Sequence, residues 1–209
     1  MDALSLLKSD HRKVESLFKK IESTRRDPKR RLEIIRQVVR ELSVHAAVEE
    51  EAFYPAIKER HPRLRELVLR SLEEHRVAKW LLYELDKAKA DDERLLPKAE
   101  VLMENIRKHV DEEENDLFPA VQRVLPEEEL AQLGLTLERL KKTSPTHPHP
   151  RAPDEPPGNL VAGIAAAALD AGRDLVRSAT RRRAGRVKGQ RRASASPRTA
   201  RRRRSNSGR

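Results

Sequence analysis

Cysteine is absent from the 209 residues, which excludes disulfides, zinc–thiolate sites and ordinary iron–sulfur ligation and agrees with a reducing compartment. Long apolar runs are missing as well. The longest, residues 160–169, is about half of what a membrane span requires. The opening MDALSLLKSDHRK has charges at positions 2 and 8 and no apolar stretch of signal-peptide length. No segment alternates with period two, so no sheet is expected. A soluble, cytoplasmic, all-α protein is the expectation.

Acidic residues are missing from one region only. Residues 181–209 hold thirteen Lys/Arg and neither Asp nor Glu; taking thirteen from the net +11 leaves −2 on the preceding 180 residues. A slightly acidic domain therefore carries a very basic tail, and the two need separate readings.

What is present up to residue 141 is helical periodicity. Leu4, Leu7, His11, Val14, Phe18 and Ile21 form one stripe. Asp27-Pro28 supplies a cap and a proline at the first position of a second helix, whose stripe is Leu32, Ile35, Val38, Leu42, His45 and Glu49. Pro55 is expected to kink or end that helix, because proline lacks the backbone donor. His61-Pro62 opens a third helix, with Leu64, Val68, Leu72, His75, Ala78, Leu82 and Leu85. After a turn at 89–94, a fourth carries Leu95, Ala99, Leu102, Ile106, His109 and Glu113, and Pro119 mirrors Pro55. A short fifth follows Pro126.

Long helices with short connections predict an up-and-down four-helix bundle over residues 1–141. A Pro-rich extended linker is expected at 142–159, a short amphipathic helix at 160–178, and a disordered Arg-rich tail at 179–209.

The two halves repeat at an offset of 64: His11 recurs as His75, His45 as His109 and Glu49 as Glu113, with HAAVEEEAFYPAI (45–57) lying over HVDEEENDLFPAV (109–121). From each histidine to its turn is about 25 Å of helix at roughly 1.5 Å per residue, so all four histidines can share one layer of the core. Each His-x-x-x-Glu pair projects from one helix face, and that face is otherwise apolar. A buried carboxylate needs a partner, and imidazole with carboxylate suits iron, manganese or zinc.

A single His-x-x-x-Glu is most often an exposed ion pair. Six matching positions at one offset, on inward faces and at one depth, point instead to two metals. Each would take two histidines, with both carboxylates spanning the pair and open positions left for a small ligand. His61, His147 and His149 are expected at the surface, and Glu50 and Glu114 toward solvent or a helix seam. Phe18, Phe53, Tyr54, Trp80 and Phe118 are expected in the core.

Over residues 1–120 the chain resembles the hemerythrin-like, HHE cation-binding family. The resemblance rests on His11, His45-x-x-x-Glu49, His75 and His109-x-x-x-Glu113, with Tyr54-Pro55 and Phe118-Pro119 trailing the two pairs. It implies two non-haem iron ions with an oxo or hydroxo bridge. Oxygen-carrying members have a fifth histidine one turn after the third; here Lys79 stands there, and its repeat partner is Glu15. That departure favours peroxide or nitric-oxide chemistry, oxygen or iron sensing, or iron sequestration over reversible oxygen carriage. The cysteine-containing extra domain of the iron–sulfur-repair relatives is missing. The expectation is a di-iron protein that binds or reacts with O2, peroxide or NO in oxidative stress or iron homeostasis, peroxide disproportionation being its enzymatic form. Sensing or sequestration without turnover is one alternative, and a DNA-associated structural helical protein is another.

In the tail, Arg181, Arg182, Arg183, Arg191, Arg192, Arg201, Arg202, Arg203 and Arg204 cluster among Ser, Ala and Gly with no aromatic residue. This suits non-specific attraction to nucleic-acid phosphate and not base reading. An anionic membrane is the rival partner, and a merely solubilising tail the third reading.

Overall fold

A computed structural model describes residues 1–24, 26–154, 158–159, 166–167, 169–170 and 173–174. Helix α1 (Ala3–Ser23) starts at Asp2, whose carboxylate accepts the Ser5 N–H at 2.9 Å. Helix α2 (Pro28–Val48) starts at Asp27, which accepts from the Arg30 N–H at 3.0 Å. Both caps satisfy donors that a helix N-terminus leaves open, and Pro28 costs nothing where no N–H is needed.

Helix α2 continues through a π-turn (Glu49–Phe53) into α3 (Tyr54–Arg60). A short 3-10 turn (Pro62–Leu64) leads to α4 (Arg65–Lys87). Helix α5 (Leu95–Glu112) likewise continues through a π-turn (Glu113–Leu117) into α6 (Phe118–Val124), and α7 (Glu127–Leu140) follows. No strand occurs among the described residues. The bundle is therefore α1, α2–α3, α4 and α5–α6, with α7 as the short fifth helix laid on α1.

The π-turns revise the expectation for Pro55. It does not end the helical run, which passes through the π-turn into α3. The Tyr54 N–H bonds the Glu49 carbonyl five residues back, and the Phe118 N–H bonds that of Glu113. One extra residue in the turn accommodates a ring that has no N–H and would collide with a carbonyl four back.

The apolar core is split in two. One cluster, near the α1–α2 and α4–α5 connections, includes Phe18, Ile21, Ile35, Leu82, Leu85, Leu95 and Leu102. The other includes Leu7, Phe53, Ile57, Val68, Phe118, Val121 and Leu137. Helix α7 closes the second cluster at Gly134, where a Cβ would strike the Met1 carbonyl and lie 2.8 Å from the Asp2 carbonyl carbon. Just beyond α7, Lys141 pairs with Asp10 at 2.5 and 2.7 Å.

Some positions differ from expectation. Trp80 is not core but 43% exposed, its ring edge-on to Tyr83. His147 is not at the surface but 5% exposed, its Nδ1 3.0 Å from Asp86 Oδ2. His61 and His149 are half-buried. The proline-rich segment does not run extended through 142–154; it turns repeatedly and buries Ser144, Pro145, His147 and Pro148. Met1–Ala171 forms one compact unit and Gly172–Arg209 a second, of which Arg173 and Asp174 are described. Of the helix expected at 160–178, residues 166, 167, 169, 170, 173 and 174 are helical; its remaining residues, and the whole tail with its arginine clusters, lie outside the described residues.

Candidate metal centre

Between the two apolar clusters lies a polar layer. His11 comes from α1, His45 from the last turn of α2, and Glu49 from the first π-turn; His75, His109 and Glu113 occupy the matching places on α4, α5 and the second π-turn. All six side chains are buried. The ligand atoms of His11, His45, Glu49 and Glu113 lie within 4.8 Å of one another, as do those of Glu49, His75 and His109. The two groups share Glu49, so the sequence-predicted set converges as two adjacent clusters.

The geometry fits cations. The Nε2 atoms of His11 and His45 are 3.3 Å apart, and those of His75 and His109 3.1 Å. Two nitrogens held about 2.1 Å from one ion and at right angles stand about 3 Å apart. Glu49 Oε2 lies 3.1 Å from His45 and 3.3 Å from His75. Glu113 Oε2 lies 3.3 Å from His11 and 3.6 Å from His109. Each carboxylate thus touches one histidine of each pair. Glu49 Oε1 is buried without a hydrogen-bond partner, and Glu113 Oε2 has only its two long imidazole contacts. Leaving such an acceptor unmet costs about 1–3 kcal/mol, and a cation meets it.

Outside the six stands a ring of carboxylates aimed at the other imidazole nitrogens. Glu114 lies 2.8 Å from His11 Nδ1, Glu50 3.1 Å from His75 Nδ1, and Glu74 3.0 Å from His109 Nδ1. Asp10 lies 3.7 Å from His45 Nδ1. A proton held on the Nδ1 of His11, His75 and His109 turns the Nε2 lone pair inward, the arrangement that metal-binding histidines require, whereas His45 Nδ1 is buried without a hydrogen-bond partner. These four carboxylates were not assigned to this ring from the sequence, although Asp10/Glu74 and Glu50/Glu114 obey the same offset of 64. Glu50 is buried in the α2–α4 seam, and Glu114 lines the α1–α5 seam with its side chain 32% exposed.

Tyr54 was expected as packing and is part of the layer. Its hydroxyl donates to Glu113 Oε1 at 2.7 Å and stands 3.4 Å from His75 Nε2. Burial, reinforced by the charges of Glu113 and Glu49, pushes its pKa well above 10 and keeps it a donor.

Without a cation the layer is electrostatically divided. Burial would lower His11, but its bond to Glu113 and the charges of Glu113 and Glu49 prevail and raise it to about 9. Burial lowers His45 to about 4 despite the nearby Asp10 carboxylate. Burial and the Glu113 charge hold Glu49 well above the carboxylate range. Burial would raise Glu113 too, but His109 and the bond from His11 hold it below. Two carboxylates this close share protons; positive ions would let both ionise.

Against the histidines lies a cavity of about 20 Å³, walled by Val14, Leu42, Ala46, Ala78, Leu82, Ile106 and Val110, with Lys79 at one side. A single water needs roughly 10–15 Å³, so the space suits a molecule of two or so heavy atoms in an apolar setting.

The Hemerythrin HHE cation binding domain matches residues 2–121. An uncharacterized hemerythrin-like protein of Schizosaccharomyces pombe is 37% identical over 168 residues, 80% of this chain and 82% of that protein. A DNA nickase of Nostoc sp. is 28% identical over 143 residues, 68% of this chain; the chain spans 39% of the nickase's length. A crystal structure of a Hemerythrin HHE cation binding domain-containing protein from Mycobacterium kansasii superposes with a TM-score of 0.59 at 24% identity. It covers 68% of this chain and 86% of the other, and the likeness is one of fold.

Proposed function

Because the chain belongs to the hemerythrin HHE cation-binding family, we propose that it holds two iron ions and binds or reacts with a small oxidant, O2, peroxide or NO. One observation carries this reading: two adjacent histidine–carboxylate clusters share Glu49 and open onto an apolar cavity of about 20 Å³. Two histidines and one carboxylate with free positions is a donor set typical of non-haem ferrous iron, and His75, His109 and Glu49 supply it. Bound iron would supply reversible one-electron exchange and positions for a small oxygen or nitrogen ligand.

The protein's own groups have separable tasks. Glu49 and Glu113, reaching both histidine pairs, fix the spacing of the two cation positions. Glu50, Glu74 and Glu114 hold protons on the outer nitrogens and so keep the inner ones free. Tyr54 keeps its hydroxyl proton directed at Glu113 Oε1, 2.7 Å away. The valine, leucine and isoleucine walls keep bulk water from the cavity. A cytoplasmic setting belongs to the same reading, and the cysteine-free sequence supports it.

Metal analysis of untagged protein tests the reading: about two irons per chain are expected, and none would end it. Oxygen evolved on adding peroxide to the iron-loaded protein supports turnover, whereas a reversible spectral change under O2 supports sensing or storage. For the tail we propose non-specific attraction to nucleic acid, supported by thirteen cationic residues in 181–209. If six to ten of them engage duplex DNA, affinity falls about 10³–10⁵-fold between 50 and 200 mM salt. A flat response, or equal binding to anionic vesicles alone, rejects it.

A further inference from the structure

The internal two-fold creates two equivalent seams beside the inner cavity, and the chain treats them differently. On one side, α1 and α5 face each other with Glu15, Arg107, Val110 and Glu114. On the other, α2 and α4 present the positions 64 residues away: Lys79, Ser43, Ala46 and Glu50.

The α1–α5 seam is hollow. A cavity of about 540 Å³ opens there and reaches His11. It shares His11, Val14, Ile106 and Val110 with the inner cavity, so those residues stand between the two. At the outer lip Arg107 binds Glu15 at 3.0 and 3.1 Å and Glu22 at 3.0 Å, all three exposed.

The α2–α4 seam is filled. Pro145, His147, Pro148, Pro153 and Asn159 lie over it and leave only about 60 Å³. The cover is bonded down. Asn159 donates its amide to the Glu50 carbonyl at 3.0 Å, and His147 meets Asp86 at 3.0 Å. The Thr146 and His147 N–H groups donate to Asp170 at 3.1 and 3.0 Å. Beneath it Lys79, paired with Glu50 at 2.9 Å, lines both the remnant and the inner cavity.

We propose that small uncharged molecules reach the histidine cluster through the α1–α5 seam, past Val14 and Val110, and that the C-terminal segment seals the equivalent α2–α4 seam. The inference rests on the small-oxidant reading of the cluster and specifies its route and ligand class. An ion passing between the four shared residues would shed most of its hydration against Val14, Ile106 and Val110, with only the His11 imidazole to compensate; a diatomic gas or hydrogen peroxide sheds far less. Among the described residues, the one polar side chain beside the inner cavity other than the histidines, Lys79, is already engaged by Glu50.

Two measurements on the full-length chain test this. In metal-free protein, dissolved xenon should shift the methyl NMR signals of Val14, Ile106 and Val110 and leave those of Ala47 and Ala152, which line only the covered seam, in place, since apolar cavities take up xenon. In iron-loaded protein, Val110→Phe should slow NO association tenfold or more at unchanged iron content, with Val110→Leu intermediate. Asn159→Ala combined with Asp170→Ala should restore fast association to Val110→Phe by opening the other side. Xenon shifts of equal size on both seams, or an unaltered NO rate in both Val110 variants, would overturn the proposal. If iron-loaded protein takes up no NO while xenon still maps to one seam, the small-oxidant reading fails and the route stands.

Discussion

Helices α1–α3 and α4–α6 place one histidine, one His-x-x-x-Glu and one π-turn at matching points, yet the halves are finished differently. Tyr54 in the first half answers to Phe118 in the second. The tyrosine hydroxyl is bonded to Glu113 across the interface, whereas Phe118 lies flat on His11, 5.9 Å between ring centroids. Lys79 on α4 sits buried against Glu50; its counterpart Glu15 on α1 binds Arg107 in the open. The repeated residues make the cation layer, and the departures from repetition make its two sides chemically distinct. Repetition supplies the donors, and the departures from it give the two seams different polar groups.

The largest effect expected from breaking this comparison is at the histidines. His45→Ala and His109→Ala should each remove at least half of the bound metal per chain by elemental analysis; retention of full metal in either would break the equivalence of the halves. Next come the outer carboxylates, where loss of such a partner typically weakens metal binding about 10–100-fold. Glu50→Gln should fall at the strong end because Glu50 is 6% exposed and also holds Lys79. Glu114→Gln should fall at the weak end, its side chain being 32% exposed; competition with a chelator ranks the two.

Tyr54→Phe makes the first half resemble the second and strips Glu113 Oε1 of its donor. Urea unfolding of the metal-free protein should show a loss of about 1–2 kcal/mol, within the range for an unmet buried acceptor. The smallest effect belongs to Arg107→Ala, whose ion pairs are exposed; stability should change by no more than about 0.5 kcal/mol. A larger loss would mean that the open seam is held shut by charge.

The bundle, its helix starts at Asp2 and Asp27, and the convergence of six donors were legible in the sequence, because apolar spacing, caps and the offset of 64 are local or repetitive signals. Glu50 was only partly legible. A regular helix places it about 100° round from Glu49, and the π-turn that begins at Glu49 alters the wheel at that point, so the seam and solvent readings could not be separated. Tyr54 read as packing because phenylalanine takes its place in the repeat, and a hydroxyl gives no periodic signal. His147 read as a linker residue because prolines surround it; its burial comes from Asp86, 61 residues away, which no local pattern reveals.

Neither hairpin owns a complete cluster. His11 and His45 draw Glu113 from the opposite half, and His75 and His109 draw Glu49. An isolated hairpin in a nascent or partly unfolded chain would therefore offer two imidazoles and one carboxylate without the closing donor. Cation uptake at both clusters together would then require that the halves have docked, because each cluster takes a carboxylate from the other half.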